Sequence, residues 1–447
     1  MSDPRQLAVI GGGIAGLTFA LLAARAGHDV VVIDRDPAPV DDGVESAWER
    51  WDRRSIPQFR QIHGYQALAR TVLAERLPDV LDLLHRAGGR DATVAGVEDL
   101  VQFRCRRSTL AWVLRRAALD EPRVELREGT EVQALITSGG SRPRVEGIRT
   151  TGGDVRADLV IDAGGRSSKQ AVWLADAGLP APTHEWVDTD QVYFTRWFRS
   201  HDIAHEAPYT RVELSFATLL HYPADAGWSS LTFFAPAGDS GLRSMLLDPD
   251  RFVAAARAVP EATDLLDPDV VTPHGGVLFM GRLRNSLRRA PAAPAPGLVA
   301  LADAVMCTNP TWGRGVSLAM ANAAALADLV AASDDLATIG PAFAQATEAR
   351  LEPWYQDTVA LDAQINAVWS GVAPPSSPLL DALAAAQVDP AVRVAYSRYR
   401  NLLDPPSSFW DDAPMAERIR RAVADGAPPI TRDRPSRADL EGVVARA

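Results

Sequence analysis

Gly11-Gly12-Gly13-Ile14-Ala15-Gly16 spaces three glycines as G-x-G-x-x-G. The first permits a tight turn, the second lets the backbone approach a diphosphate, and the third lets a helix pack closely on a strand. A helix opening there offers free N–H groups and the positive end of its dipole to phosphate oxygens. Asp34, followed by Arg35, ends the next apolar run, where a carboxylate can accept from ribose hydroxyls. A second group comes late in the chain: Ala302-Asp303, then Pro310-Thr311-Trp312-Gly313-Arg314-Gly315-Val316 and a long apolar run. An aspartate there can hold a polyol chain, and a second glycine-rich helix start suits an anionic ring. Between them stand Arg107-Ser108-Thr109-Leu110, with an arginine at a helix start, and the run from Asp158 to Ser168, which enters Gly164-Gly165. The competing structural readings are a glycine turn, a capped surface helix and a solvated arginine.

These residues need elements to hold them. Leu7–Ile10 and Val30–Ile33 read as buried parallel strands flanking a helix over 14–26, with Gly27 just past its end. Gln66 to Gly88 reads as two helices broken at Pro78, and Ser108 as the N-cap of a helix from Thr109 to Leu119. Short strands are expected at 124–127, 132–137, 145–150 and 155–162, with turns at Gly139-Gly140 and Gly152-Gly153. Aromatic and β-branched runs at 192–198, 213–222, 228–234 and 277–283 predict an antiparallel sheet. Leu298–Leu301 is again a buried strand, followed by a helix from about Arg314 to Ala332. The remainder reads as helical, with proline-rich breaks at 374–378, 405–406 and 428–429. The expected fold class is α/β. A discontinuous Rossmann-like domain (1–185 with 286–335) carries an inserted antiparallel substrate domain (186–285) and a helical C-terminal region (336–447).

Composition excludes several classes. Hydrophobic residues make up 47% and charged residues 23% of 447, which is ordinary for a globular chain and unlike a disordered, collagenous or coiled-coil one. A formal charge of -11 without a basic stripe speaks against a nucleic-acid partner. Arg115-Arg116 and Arg288-Arg289 read as solvated surface. Cys105 and Cys307 are the two cysteines. They provide neither a disulfide framework nor a metal site, so a reduced, cytoplasmic setting is expected. The longest apolar stretch, Leu7 to Ala26, is interrupted by four glycines, so neither a membrane span nor a signal peptide is expected. Lys169 is the single lysine.

The four chemistry-bearing elements, in this order, resemble the FAD-dependent monooxygenases of the para-hydroxybenzoate hydroxylase fold, over about residues 5 to 333. The resemblance implies non-covalent FAD, with Gly11 to Gly16 at the diphosphate, Asp34 at the adenosine ribose, Arg107 along the cofactor and Asp303 at the ribityl chain. Gly313, Arg314, Gly315 and Val316 would offer backbone N–H groups to the flavin, with Arg35, Val132, Gly165 and Pro310 nearby. It further implies reduction by NAD(P)H or a partner flavin reductase. A flavin C4a-hydroperoxide would then insert one oxygen atom of dioxygen into an electron-rich, apolar small molecule, with no protein nucleophile. The chain departs from the family pattern at Gly164, Ala302, Met306 and Ser317, which stand where the family has Asp, Gly, His and Asn. Pro57-Gln58…His63, with Asp162-Ala-Gly-Gly-Arg166, looks closer to bacterial flavin epoxidases related to squalene epoxidase, so epoxidation stands beside hydroxylation.

Substrate contacts are expected from Gln58, His63, Tyr193, Arg196, His221, Tyr222, Phe233 and Trp312. A dehydrogenase, oxidase or reductase of the same fold is the alternative function. A halogenase needs a lysine between flavin and substrate, and Lys169 follows the middle motif instead. A non-redox FAD scaffold is the remaining alternative.

Overall fold

A computed structural model describes residues 4–140, 143–202, 208–336, 338–371, 377–431 and 433–446. The proline break expected at 374–378 falls largely outside them. Five parallel strands form the sheet under the glycine motif, in the spatial order Leu298–Ala300, Leu159–Asp162, Gln6–Ile10, Asp29–Asp34, Val124–Glu128. Their Val, Ile and Leu side chains are buried almost throughout, as a parallel sheet covered on both faces requires. Helices Ile14–Arg25 and Gly315–Ala332 share one apolar core with this sheet. Gly315–Ala332 is long and apolar enough to cross a membrane by composition, yet most of it is buried in that core. On the other face lies a three-stranded antiparallel sheet, Val132–Thr137, Val145–Thr150 and Gly153–Arg156.

A second five-stranded antiparallel sheet runs in the order Thr210–Glu213, Thr218–Pro223, Trp228–Pro236, Gln191–Ser200, Val271–Met280. Helices Ser240–Leu247 and Pro249–Arg257, with Leu440 from the C-terminal helix Arg437–Val444, cover one face. Thr183–Asp188, Arg284–Arg289 and Met306–Cys307 form a small sheet. The 31-residue helix Ile339–Trp369 and the helices Pro378–Val388 and Pro390–Arg400 pack against Trp312, Tyr193 and Phe234. Arg106 ties the lobes together. Its fully buried guanidinium pairs with Asp225 at 2.7 Å and with Glu45 at 2.7 Å.

Several sequence expectations need correction. The single strand at 155–162 is two strands in different sheets, since Ala157 and Asp158 carry the chain from one to the other. The run 213–222 is a hairpin, reversed where the Leu214 amide donates to the Ala217 carbonyl at 2.8 Å. The strand at 277–283 ends at Met280 because Gly281 and the left-handed Arg282 (φ 56°) break it. Ser108 is no cap: the helix begins at Arg107, two residues before the expected Thr109, and Ser108 is buried inside it. Arg288 is not solvated surface, because its guanidinium bonds the carbonyls of Asp303, Ala304 and Arg166. Arg115 is held by Glu128 at 2.6 Å and is largely buried.

Candidate cofactor cleft and substrate cavity

The parallel strands fix the first site. In register, Ile10 lies opposite Ile33 on one side and Asp162 on the other, and Ala300 lies opposite Asp162. All four C-terminal ends therefore open on one edge, where ligands of such sheets bind. Gly11 turns there with φ 105°, and the Gly11 amide donates to the Ile33 carbonyl at 2.7 Å. A Cβ on Gly16 would sit 2.0 Å from the Gly11 carbonyl oxygen, whereas one on Gly13 would meet nothing. Gly16 is thus the packing glycine and Gly13 the open one, at the start of the helix Ile14–Arg25. Gly12 is packed against Asp34.

A cleft of about 410 Å³ follows this edge. Its walls include Gly11, Gly13, Ile14, Ala15, Asp34, Arg35, Arg107, Val132, Gly165, Asp303 and the segment Pro310, Gly313, Arg314, Gly315 and Val316. Of the glycine motif, Gly12 and Gly16 stand behind this surface. Asp34 is buried and pairs with Arg53 at 2.8 Å, a partner that the sequence motif did not signal. Arg35 reaches Ser167 across the cleft at 3.0 Å. Arg107 is buried with Nε unpartnered, and loss of hydration lowers its pKa despite nearby Tyr65 and Asp303. Burial raises the Asp303 pKa, opposed by Arg107, Arg166 and Arg288. An orphaned cation, an open helix start and an inward carboxylate fit the diphosphate and polyol of FAD. In the middle motif, Asp162 organises the turn where the family has its Asp at 164. Its carboxylate accepts from the Ser168 hydroxyl and from the Gly164 amide at 2.9 Å.

Gln58 and His63 also lie on this cleft. His63 Nδ1 bonds the Gln61 carbonyl at 2.9 Å, which only accepts, so Nδ1 carries the proton and Nε2 is an acceptor. Desolvation and Arg107 push the His63 pKa down to about 3, so the ring stays neutral. Lys169 stands on the cleft rim, half-exposed and paired with Glu131 at 2.8 Å.

A second, larger cavity of about 1200 Å³ adjoins the cleft, and both are lined by Ile62, Gly64, Pro310 and Gly313. The partition is thin. A Cβ on Gly313, itself left-handed at φ 65°, would lie 3.7 Å from Gly64 Cα and 2.9 Å from Gln66 Nε2. The segment carrying Gly313 is braced from behind by Asp362 on the helix Ile339–Trp369. Its carboxylate accepts from Trp312 Nε1 at 2.7 Å, Asn309 Nδ2 at 2.8 Å and Asn285 Nδ2 at 2.6 Å. Burial pushes its pKa up to about 6. The Arg314 backbone faces the cleft, but its side chain turns away and is fully buried. It meets Asp357 and Tyr399, the latter at 2.8 Å, and Thr358 at 2.7 Å.

Of the residues expected at substrate, His221, Tyr222 and Trp312 line the larger cavity. Three others are not brought to it. Arg196 donates to the Pro249 carbonyl, drawn to the face covered by helices. Phe233 packs on Phe252 in that same covered core, because alternate strand residues face opposite sides, and Phe234 lines the cavity in its place. Tyr193 lies under Phe234 with its hydroxyl bonded to Asn309 and Thr311. The wall is also more charged than the aromatic composition implies. Arg104, Arg211 and Arg400 line it, and the Arg211 and Arg400 guanidiniums lie 5.5 Å and 5.3 Å from the Trp312 ring. No motif flagged these arginines. The strand alternation that puts Arg211 on one face with Glu213 was the available signal.

Comparisons with known proteins agree with this geometry. A family model described as FAD dependent oxidoreductase matches residues 6–47. Protein Rv3254 of Mycobacterium tuberculosis is 28% identical over 366 residues, 71% of each chain. Kynurenine 3-monooxygenase of Salinispora tropica is 27% identical over 359 residues, 74% of each chain. Among solved structures, Pseudomonas aeruginosa PqsL in complex with 2-aminobenzoylacetate superposes with a TM-score of 0.61 at 17% identity, covering 82% of this chain and 97% of that one. The N-terminal segment thus matches the FAD dependent oxidoreductase family, the chain is similar in sequence to a kynurenine 3-monooxygenase, and it shares the fold of PqsL.

Proposed function

We propose that this chain transfers one oxygen atom of dioxygen to an electron-rich small molecule held in the larger cavity, by hydroxylation or epoxidation. The observation that carries the reading is the contact of two hollows across the Gly64–Gly313 partition, a cofactor cleft on one side and a substrate-sized cavity on the other. Bound FAD, once reduced, supplies the activation of dioxygen; the protein supplies position, dryness and charge. Gly13 and the start of the helix Ile14–Arg25 receive the diphosphate. Asp34 accepts from the adenosine ribose, Asp303 holds the ribityl hydroxyls, and Arg107 gives its free Nε to cofactor oxygens. The helix start at Gly315 directs its amides and dipole at the flavin edge, where they stabilise negative charge. His63 serves as a neutral acceptor.

The electron source in this reading is NAD(P)H bound transiently, or a partner flavin reductase, because the sequence carries one G-x-G-x-x-G unit after a strand. The cofactor domain comprises 1–185 with 286–335, the substrate domain 186–285, and the helical region 336–447 closes the cavity from the far side. A reduced cytoplasmic setting suits two free cysteines. The test is turnover under labelled dioxygen with paired phenol and alkene substrates and a reductant. One labelled atom in the product supports the reading. Oxidised product without label, with all the oxygen recovered as peroxide, replaces it with an oxidase.

A further inference from the structure

The partition between the two hollows carries a polar side chain that the cofactor chemistry does not use. Gln66 is buried and lines the larger cavity beside Gly64 and Gly313. A Cβ on Gly313 would lie 2.9 Å from Gln66 Nε2, and one on Gly64 would lie 3.5 Å from it. The backbone here is pinned from behind. The Gln66 amide donates to Ser317 Oγ at 3.1 Å, on the helix Gly315–Ala332.

The orientation of this carboxamide follows from donor and acceptor rules that begin in the C-terminal helices. Asn401 is buried between two main-chain groups. The Ala67 amide donates to one end of its side chain at 3.1 Å, so that end is Oδ1. The Ser397 carbonyl accepts from the other end at 2.9 Å, so that end is Nδ2. Gln102 faces Asn401 Oδ1 at 2.8 Å and must present Nε2 there. The same Nε2 donates to Gln66 at 3.0 Å. Gln66 therefore turns Oε1 to Gln102 and Nε2 to the partition. That nitrogen has two N–H groups and a weak partner. The Trp312 carbonyl is 3.5 Å away, at the limit of a hydrogen bond, and already takes Arg400 Nη1 at 3.3 Å.

We infer that Gln66 is a specificity-determining residue whose Nε2 donates to a neutral acceptor on the substrate, a ring carbonyl oxygen or a pyridine-type nitrogen, beside the carbon that receives oxygen. Gln102 and Asn401 are positioning residues, since they decide that a donor and not an acceptor faces the partition. A neutral group that can only donate suits lone pairs without a hydrogen of their own. A bare alkene in the same place leaves the donor unpaired, which weakens binding. This rests on the proposed function, because the partition is where oxygen would pass to the substrate. It narrows the electron-rich molecule to a ring that carries an acceptor next to the oxidised carbon.

The test uses full-length, FAD-loaded protein and two probes of one shape, quinoline and naphthalene, which differ in a single ring-edge acceptor. Equilibrium dialysis near neutral pH gives both affinities, and the flavin visible spectrum reports that each probe sits beside the cofactor. The readout is the quinoline-to-naphthalene affinity ratio, compared between proteins so that the different hydration of the probes cancels. Gln66→Met keeps the length of the side chain and should lower the ratio about three- to tenfold, the scale of one neutral hydrogen bond. Gln66→Glu keeps an oxygen for Gln102 but turns an acceptor to the partition, so its ratio should fall at least as far. Gln102→Leu frees the Gln66 amide and should lower the ratio while leaving naphthalene affinity unchanged. A merely structural role would weaken both probes together and leave the ratio where it was. A ratio within about twofold of wild type in both Gln66 variants, or no binding of either probe to wild type up to its solubility, overturns the inference. An unchanged ratio in Gln102→Leu overturns the positioning role. Failure of the underlying reading is separate: it would appear as turnover without label, while the ratio still shifts with Gln66.

Discussion

Arg314 sits between two glycines that border the cofactor cleft, yet its side chain is fully buried on the opposite side. Replacing it with Met deletes a cation whose Nη2 meets Asp357 and Tyr399, whose Nη1 meets Thr358, and whose guanidinium lies 4.9 Å from the Trp354 ring. Asp357 would be left as an unpaired buried carboxylate, a loss of about 3–5 kcal/mol. The helix start at Gly315 would lose its anchor to Ile339–Trp369, and FAD affinity should fall by about tenfold or more. The assay pairs denaturant unfolding, followed by tryptophan fluorescence, with FAD titration of the apoprotein. The decisive variant is Arg314→Met with Asp357→Leu and Tyr399→Phe, which replaces the buried polar cluster with apolar groups. Such replacement is often neutral for stability, so both stability and FAD binding should return to within about 1 kcal/mol. A single variant as stable as wild type, or a stable triple variant that still cannot hold FAD, would refute this role and make the guanidinium a cofactor contact.

The remaining expectations concern the cofactor and its supports. Purified protein should be yellow, with heat releasing FAD and leaving no flavin attached. Asp303→Ala removes a charge-assisted bond of roughly 1.5–3 kcal/mol, so FAD titration should show a ten- to hundredfold weaker Kd. Asp362 is raised to about 6 from 3.8, so the folded state holds its proton more tightly than the unfolded state. Stability should fall as pH climbs through that window, by at most about 3 kcal/mol, and level off above it. Asp362→Asn should lack that component, read as a wild-type-minus-variant unfolding difference that changes below neutral pH and is flat above. Lys169→Met should keep turnover within a few-fold, since the amine is tied to Glu131 on the rim; a loss of about a thousandfold with FAD retained revives halogenation chemistry.

The parallel sheet, the two helices of its core and the turn geometry of Gly11, Gly13 and Gly16 were legible because each follows from local pattern: apolar runs, glycine spacing, an acid at a strand end. The cavity wall was not. Facing direction in the antiparallel sheet depends on a register that one residue reverses, which is why Phe233 stood in for Phe234. Arg196 and Arg211 are equivalent in composition; only tertiary packing sends one to the Pro249 carbonyl and the other into the cavity. Asp357 and Asp362 lie on a C-terminal helix with no motif of its own, so their bonds to Arg314 and Trp312 could not be read from spacing. Arg53 shows the same limit: its pairing with Asp34 joins a loop residue to a strand end.

The placement of Leu298–Ala300 beside Leu159–Asp162 governs how the protein comes into being. The glycine motif and the strand that presents it are made before the sheet edge that completes their site, which is translated roughly 290 residues later, about 15–60 s at ordinary elongation rates. Through that interval the apolar faces of Leu7–Ile10 and Ile14–Arg25 lack the helix Gly315–Ala332 that covers them in the finished core. The inserted antiparallel sheet, whose strands all lie between Gln191 and Met280, can form while the first lobe waits. A chain truncated before the second glycine-rich turn would therefore keep these apolar faces uncovered and its cleft without Gly313 and Gly315.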